Sequence, residues 1–401
     1  MRNLEKILEK SGVSFQKEGK LYLVDTTNMT SSEWEMFRAY FCGGSDSGII
    51  VSGNDKYTNK RELALKKREL LGTYKFPNNP LYKEKQTDIF MKAGHSLEDM
   101  VAKIYAKLSS KDVRILPRMI INEDYPYIAV NFDRVIVDKN NNLSLLEIKT
   151  TTAEAEWNLW GSESNPTIPT NYMSQLSTYQ LVGEHLFGDR EATIVTFLVE
   201  PMMRVLAAEC FPADKSYSDE EIAGLIKNGF GQNLRVRKYS RDTVYEEIIA
   251  EEMESFYKDY VETANIPPLN GVNPNTDRKV LNRTTEENLR NTVLNSSDVV
   301  QAVEKITTIN GEISKLKNQL DKLTKDKANA ENIIIQQLNG SVCGKIVEPS
   351  GIYFDFKYKG RRSRKVDYTG LSIAYPEAYR EYVQENISAP SLSLSKPKKS
   401  K

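Results

Sequence analysis

Two apolar runs, residues 128–137 and 143–150, are separated by Lys139-Asn140-Asn141-Asn142, and this spacing constrains the fold more than any other part of the chain. Asparagine side chains bond to nearby backbone and tolerate left-handed dihedrals, so the cluster predicts a turn and the two runs become the arms of a β-hairpin. Side chains two apart in a strand share a face. Glu147 and Lys149 therefore point one way and Ile148 the other, while Asp133 can lie beside the pair on the partner arm. Two carboxylates and an ammonium converging on one spot make a hard-cation site with a built-in cationic assistant.

Helical periodicity flanks the hairpin. Across residues 94–108, Leu97, Val101, Ile104, Tyr105 and Leu108 recur at helical spacing. Glu98 sits next to that stripe, where a carboxylate reads either as a plain solvated residue or as a ligand. His95, one turn earlier, reads as a helix-end surface residue or as a further ligand. Residues 172–186 form a second expected helix, with Gln175 and Tyr179 four apart on one face. They read as a surface and a core residue, or as a functional pair.

The order helix, strand, strand, helix, carrying Glu98, Asp133, Glu147-Ile148-Lys149 and Gln175…Tyr179, resembles the PD-(D/E)XK nuclease superfamily, and Gln175-Leu176-Ser177-Thr178-Tyr179 resembles the QxxxY motif of its exonuclease branch. Ala129-Val130-Asn131-Phe132-Asp133-Arg134 and Leu146-Glu147-Ile148-Lys149-Thr150, together with Trp34, Arg38 and Gly43-Gly44-Ser45-Asp46, resemble the phage exonucleases related to lambda exonuclease, the YqaJ-like viral recombinases. The resemblance covers most of residues 31–200. It implies an α/β fold: a restriction-endonuclease-like core with a mixed central sheet flanked by helices, followed by a C-terminal coiled-coil and β-hairpin appendage.

The resemblance also implies a chemistry. Phosphodiester hydrolysis gathers negative charge on phosphoryl and leaving oxygens, and divalent ions offset it. Oxygen ligands select Mg²⁺, with Mn²⁺ as a substitute and two ions per site expected. Asp133, Glu147 and the Ile148 carbonyl are the expected metal ligands, with Glu98 serving a second ion. Lys149 would activate water and stabilise charge, and Gln175 would position its surroundings. Arg38 and Ser45 correspond to residues that bind a terminal 5′-phosphate in that family, with Trp34 under the guanidinium or on a base and Tyr179 against the backbone. The implied activity is an ATP-independent 5′→3′ exonuclease on double-stranded DNA ends in phage-type recombination. A homotrimer and a single-strand annealing partner of the RecT or Redβ kind are implied as well. No G-x-x-x-x-G-K-[ST] stretch occurs, which accords with ATP independence. A restriction- or structure-specific endonuclease and a non-catalytic DNA-binding protein are the alternatives.

Charge and cysteine usage narrow the classes further. Lys and Arg number 55 and so do Asp and Glu, so DNA binding would need a local patch rather than an overall basic field. Clusters at residues 235–241 and 361–365 could track a DNA backbone or be ordinary solvated charges. Cys42, Cys210 and Cys343 are too few and too far apart for a disulfide framework or a cysteine-bound cluster. No signal peptide or long apolar segment is visible, and a cytoplasmic protein of a phage or prophage, without membrane contact, is expected.

The expected organisation is a nuclease domain over residues 1–265, a linker over 266–290, a helical coiled-coil and hairpin region over 291–385, and a disordered tail over 386–401. Within it, 1–30 read as a small strand–helix piece, 32–40 as a helix ended by the Gly43-Gly44 turn, and 59–72 as a charged, solvated helix. Residues 193–199 and 205–210 read as strands, and 219–227 and 243–264 as helices. Val299, Ala302, Ile306, Ile309, Ile313, Leu316, Leu320 and Leu323 alternate spacings of three and four, a coiled-coil seam. Residues 345–357 read as a strand pair around Pro349-Ser350-Gly351.

Overall fold

The computed structural model describes residues 2–337 apart from 54–57, 78–88, 153–157, 163–164, 201–206, 208–209, 213–214, 270 and 285–295, together with 343–347 and 353–357. The chain divides into a unit built on residues 1–287 and a second built on residues 288–388.

The first unit opens with helix α1 (Leu4–Lys10) and strands β1 (Phe15–Glu18) and β2 (Leu21–Asp25). Helices α2 (Ser31–Ala39), α3 (Gly44–Val51), α4 (Lys60–Leu70) and α5 (Ile89–Ser109) follow. Next come β3 (Asp112–Arg114), β4 (Arg118–Asn122), β5 (Ala129–Val130), β6 (Arg134–Val137), β7 (Leu143–Thr151) and the two-residue strands β8 (Gly161–Ser162) and β9 (Asn165–Pro166). Helices α6 (Thr170–Val182) and α7 (Glu184–Phe187), β10 (Ala192–Leu198), α8 (Asp219–Lys227), β11 (Leu234–Tyr239), α9 (Thr243–Phe256) and α10 (Pro274–Thr284) complete it.

Five strands form the central sheet in the order β11-β10-β7-β6-β3. β7 and β10 run parallel and every other neighbouring pair is antiparallel, so the sheet is mixed. The parallel pair needs a long crossover, which α6 and α7 supply. Alternation along the strands fixes what each face meets. Leu146, Ile148, Val195 and Phe197 pack with Leu97, Val101 and Ile104 of α5. Val135, Leu145 and Ile194 share a cluster with Leu176 and Tyr179 of α6 and with Met253 of α9. Helices thus flank both faces, as the mixed α/β expectation requires. Almost the whole of α6 from Ser174 to Val182 is buried. Its polar side chains find partners: the Ser174 hydroxyl lies 2.6 Å from Tyr245 Oη, and that of Ser177 lies 2.7 Å from Tyr239 Oη.

The hairpin turn sits where the asparagines predict it. The Asp138 carboxylate accepts the amides of Asn140 and Asn142, each at 2.8 Å, and Asn141 takes φ +62°. The outgoing arm differs from expectation, because residues 128–137 are not one strand. β5 pairs with β4 in a separate antiparallel sheet, β1-β2-β4-β5, and β6 begins at Arg134. Between them the Asp133 carboxylate takes the Ile148 amide at 2.9 Å, in place of a ladder carbonyl. The apolar run hides a change of sheet.

Other expectations are corrected. The Gly43-Gly44 pair starts α3, with Gly43 as its N-cap, instead of merely ending α2. The expected helix over 172–186 breaks at Gly183, where an added Cβ would lie 2.6 Å from the Phe187 ring. Helix α4 is charged but not solvated: Glu62, Lys67 and Arg68 are buried. Their charges are answered by tertiary partners: Glu62 pairs with Arg283, Lys67 with Asp46 at 2.8 Å, and Arg68 donates to Asn265 O at 3.3 Å. The expected linker over 266–290 contains α10, whose Asp277 accepts Asn59 Nδ2 at 2.7 Å, so the first unit extends past residue 265. Most of 205–210 lies outside the described residues. Its members Ala207 and Cys210 are helical rather than extended, with the Phe211 amide donating to Ala207 O at 2.8 Å.

In the second unit, α11 (Ser297–Gln337) runs for 41 residues. Strands β12 (Cys343–Val347) and β13 (Tyr353–Lys357) pair antiparallel, Cys343 opposite Lys357. The cluster at 361–365 and the tail at 386–401 lie outside the described residues. Among the described residues, no helix is long and apolar enough to cross a membrane.

Candidate active site

Glu147 and Lys149 share the α6 side of β7, as a two-residue spacing dictates. The Lys149 ammonium contacts Glu147 Oε1 directly. Gln175 Nε2 donates to the same oxygen at 2.8 Å and to Tyr179 Oη at 2.7 Å. The Tyr172 ring, one turn earlier on α6, lies 5.5 Å from the Lys149 ammonium. The Tyr179 ring meets Phe132 edge-on at 5.3 Å, directly before Asp133. The structure therefore gathers Glu147, Lys149, Gln175 and Tyr179 into one bonded group.

That group is electrostatically unbalanced. Glu147 is fully buried, and its Oε2 receives no hydrogen bond from a donor among the described residues. Burial, and then the Asp133 charge, push its carboxyl up to about 8. For Lys149 burial works against the ammonium, yet Glu147 and Asp133 hold its pKa above the ordinary value. Burial, and then Glu147, raise the Tyr179 phenol well above its usual range.

Asp133 stands at the other edge of β7. Thr151 O accepts the Val199 amide at 2.7 Å on the β10 side, so odd-numbered backbone groups of β7 face β10. N–H and C=O of one strand residue leave by the same edge. The Ile148 carbonyl therefore leaves with its amide, toward Asp133.

Glu98 is placed differently from expectation. Arg134 Nη1 donates to Glu98 Oε1 and to Asp133 O, both at 2.6 Å, and Nη2 to Asp99 Oδ1 at 3.3 Å. Burial, and then Asp133, raise the Glu98 carboxyl, with Arg134 working the other way. Among the described residues no three His, Cys, Asp or Glu side chains are gathered as a metal set. Glu98 is turned to Arg134, and Asp133 holds an amide. Arg134 is the residue that sequence reasoning missed, although it directly follows the first acid. His95 is exposed.

A second group lies on α2 and α3. The Arg38 guanidinium stacks over the Trp34 ring at 4.5 Å, and its Nη2 donates to Ser45 Oγ at 3.1 Å. Asp46 anchors the turn: its Oδ2 accepts the Gly43 amide and pairs with the Lys67 ammonium, each at 2.8 Å. Burial alone would raise the Asp46 carboxyl, but Lys67 and Arg38 bring it below its ordinary value. A Cβ on Gly44 would lie 2.2 Å from Tyr179 Cε1. The first turn of α3 thus rests on the Tyr179 ring, which links the Arg38 group to the Glu147 group.

Residues 33–185 match the YqaJ-like viral recombinase domain family. This segment is similar to the YqaJ-like viral recombinase domain. A curated relative, the uncharacterized protein YqaJ of Bacillus subtilis (strain 168), is 32% identical over 159 residues, which is 39% of this chain and 44% of that protein. The chain thus spans under half the length of the curated relative it matches. Two solved structures are similar to it. An alkaline exonuclease from Laribacter hongkongensis aligns with a TM-score of 0.36 at 16% identity, over 57% of this chain and 92% of its own. A phage related exonuclease from Haemophilus somnus 129PT aligns at 0.33 and 15% identity, over 55% and 94%. All the residues singled out in the two groups lie within the matched segment, residues 33–185.

The acidic end of the domain fits a divalent cation. Burial, and then the Asp133 charge, raise the carboxyls of both Glu147 and Glu98, and Glu147 Oε2 is buried without a donor among the described residues. A buried carboxylate oxygen without a donor is costly, and a cation offsets that cost. The oxygens on offer suit a hard ion rather than zinc.

Proposed function

We propose that the YqaJ-like domain is a divalent-metal-dependent nuclease that digests one strand of double-stranded DNA from its end, 5′→3′ and without ATP. The observation that carries this reading is the buried, unpartnered Glu147 Oε2 beside Lys149 and one strand away from Asp133. Asp133, Glu147 and the Ile148 carbonyl would hold Mg²⁺ or Mn²⁺, with Glu98 available to a second ion once turned from Arg134. The bound cation would neutralise phosphate charge and make a water more acidic.

The chain's own side chains do the rest. Lys149 places a fixed positive charge beside Glu147, where the phosphoryl oxygens gain charge during cleavage. Gln175 fixes the Glu147 carboxylate through Oε1 and leaves Oε2 free. Tyr179 braces Gln175 and carries the first turn of α3. Arg38, stacked on Trp34 and steadied by Ser45, offers a guanidinium to a terminal 5′-phosphate. In this reading the product strand passes to a single-strand annealing protein, and the enzyme works as a homotrimer.

The test is digestion of linear duplex, each strand labelled in turn, with Mg²⁺ and without ATP. Loss of label from the 5′ end of one strand, faster on phosphorylated ends and absent on closed circles, supports the reading. Cutting of closed circles would establish an endonuclease instead. No cleavage of any DNA with Mg²⁺ or Mn²⁺ would leave a DNA-binding protein.

A further inference from the structure

Helix α11 buries none of its 41 residues. Yet Leu316, Leu320 and Leu323 are 62, 63 and 64% exposed, and Ile309 and Ile313 lie on the same seam. A helix of this length owes its stability chiefly to the packing of its apolar face, so a bare seam requires a partner. The repeat says what kind. Val299, Ile306, Ile313 and Leu320 occupy one heptad position, and Ala302, Ile309, Leu316 and Leu323 the other. Strict alternation of three and four matches only another helix that supercoils along it.

We propose that α11 pairs with α11 of a second copy of this chain, parallel and in register, over residues 299–323. Charge placement favours that occupant. In a parallel pair the flanking residue before one core position faces the residue five further along the other helix. Glu312 then faces Lys317 of the second copy, and two-fold symmetry repeats the attraction. The seam stops at Lys327, which occupies the next core position and pairs with Glu331 of its own helix at 3.6 Å. Asp326 of the second copy would flank that lysine. This contact lies outside residues 33–185, so it is separate from any assembly of the YqaJ-like domain.

Disulfide trapping in the full-length chain tests it. With Cys210→Ser and Cys343→Ser as background, Ile313→Cys places a thiol on the seam and Lys315→Cys places one on the outer face. Parallel, in-register pairing brings the two residues 313 within roughly 4.4–6.8 Å at Cα, the range a disulfide spans. Mild oxidation should give covalent dimer at least about tenfold faster for Ile313→Cys. Adding Ile306→Asp and Leu320→Asp should abolish it, since these changes place charge on buried apolar layers. In the same Ile313→Cys chain, Glu312→Lys should slow trapping, and Lys317→Glu added to it should restore the rate. Equal trapping at 313 and 315, trapping insensitive to the aspartates, or no restoration by the second charge change would each overturn the proposal.

Discussion

Replacing Glu147 with glutamine probes the imbalance at the site most sharply. Glutamine keeps the shape and can still accept from Lys149 and Gln175, but it resembles the protonated acid. In the folded chain the Glu147 carboxyl is raised to about 8 from an ordinary 4.5, first by burial and then by Asp133. The protonated form is therefore favoured on folding. The stability this contributes is whole below pH 4.5 and is lost as pH rises through about 8. The full loss is on the order of 5 kcal/mol, an upper bound because structure relaxes around a buried charge. Urea unfolding of wild type and Glu147→Gln, both in chelator, should give similar stabilities at pH 5. At pH 9 the variant should be more stable by roughly 2–5 kcal/mol. Mg²⁺ or Mn²⁺ should raise the stability of the wild type at pH 9 and leave the variant nearly unchanged, because only a species that binds the folded state stabilises it. A difference between the two proteins that does not vary from pH 5 to pH 9, or a variant less stable at pH 9, would refute the reasoning.

Three further outcomes are expected. Lys149→Met should retain the fold while cutting nuclease turnover by about 10²–10³-fold, the usual effect of removing one preorganised charge. It should also move the pH–rate profile to higher pH, because Lys149 lowers the Glu147 pKa, and single-turnover rates across pH would show it. Gly44→Ala should destabilise by about 1–3 kcal/mol, since its Cβ would lie 2.2 Å from the Tyr179 ring; denaturant melts and the loss of Arg38-dependent discrimination between 5′-phosphate and 5′-hydroxyl ends would register it. Arg134→Met should cost about 2–3 kcal/mol, less than a fully buried pair because Glu98 remains partly exposed, and calorimetric metal titration should show the Glu98 position tightened rather than lost.

The site was legible in the sequence where periodicity dictates geometry. A two-residue spacing put Glu147 and Lys149 on one face, and a four-residue spacing put Gln175 and Tyr179 together on α6. What escaped was long-range pairing. Residues 128–137 are apolar except for Asn131, Asp133 and Arg134, and these three read as site residues on a continuous strand, so the switch of sheets at Asn131–Asp133 is not marked by a turn signal. The charges of α4 read as solvated because their partners, Arg283 and the carbonyls of Phe41 and Asn265, are far away in sequence. Residues 266–290 read as a linker in the sequence because Pro267-Pro268 and a polar stretch precede the few apolar residues of α10. Arg134 gave no periodic signal, and its importance rests on where α5 lies against β6. The Gly43-Gly44 pair was legible as a tight turn, but its contact with the Tyr179 ring comes from the tertiary packing of α3 on α6.

The central claim is that Asp133, Glu147 and the Ile148 carbonyl hold a divalent cation beside Lys149. Anomalous diffraction from crystals soaked in Mn²⁺ tests it most directly. The account predicts a peak bonded to Asp133 and to Glu147 Oε2, lost in Asp133→Asn. Crystals of an active protein that show no peak there, or show manganese bound elsewhere while those side chains keep their present bonds, would contradict it.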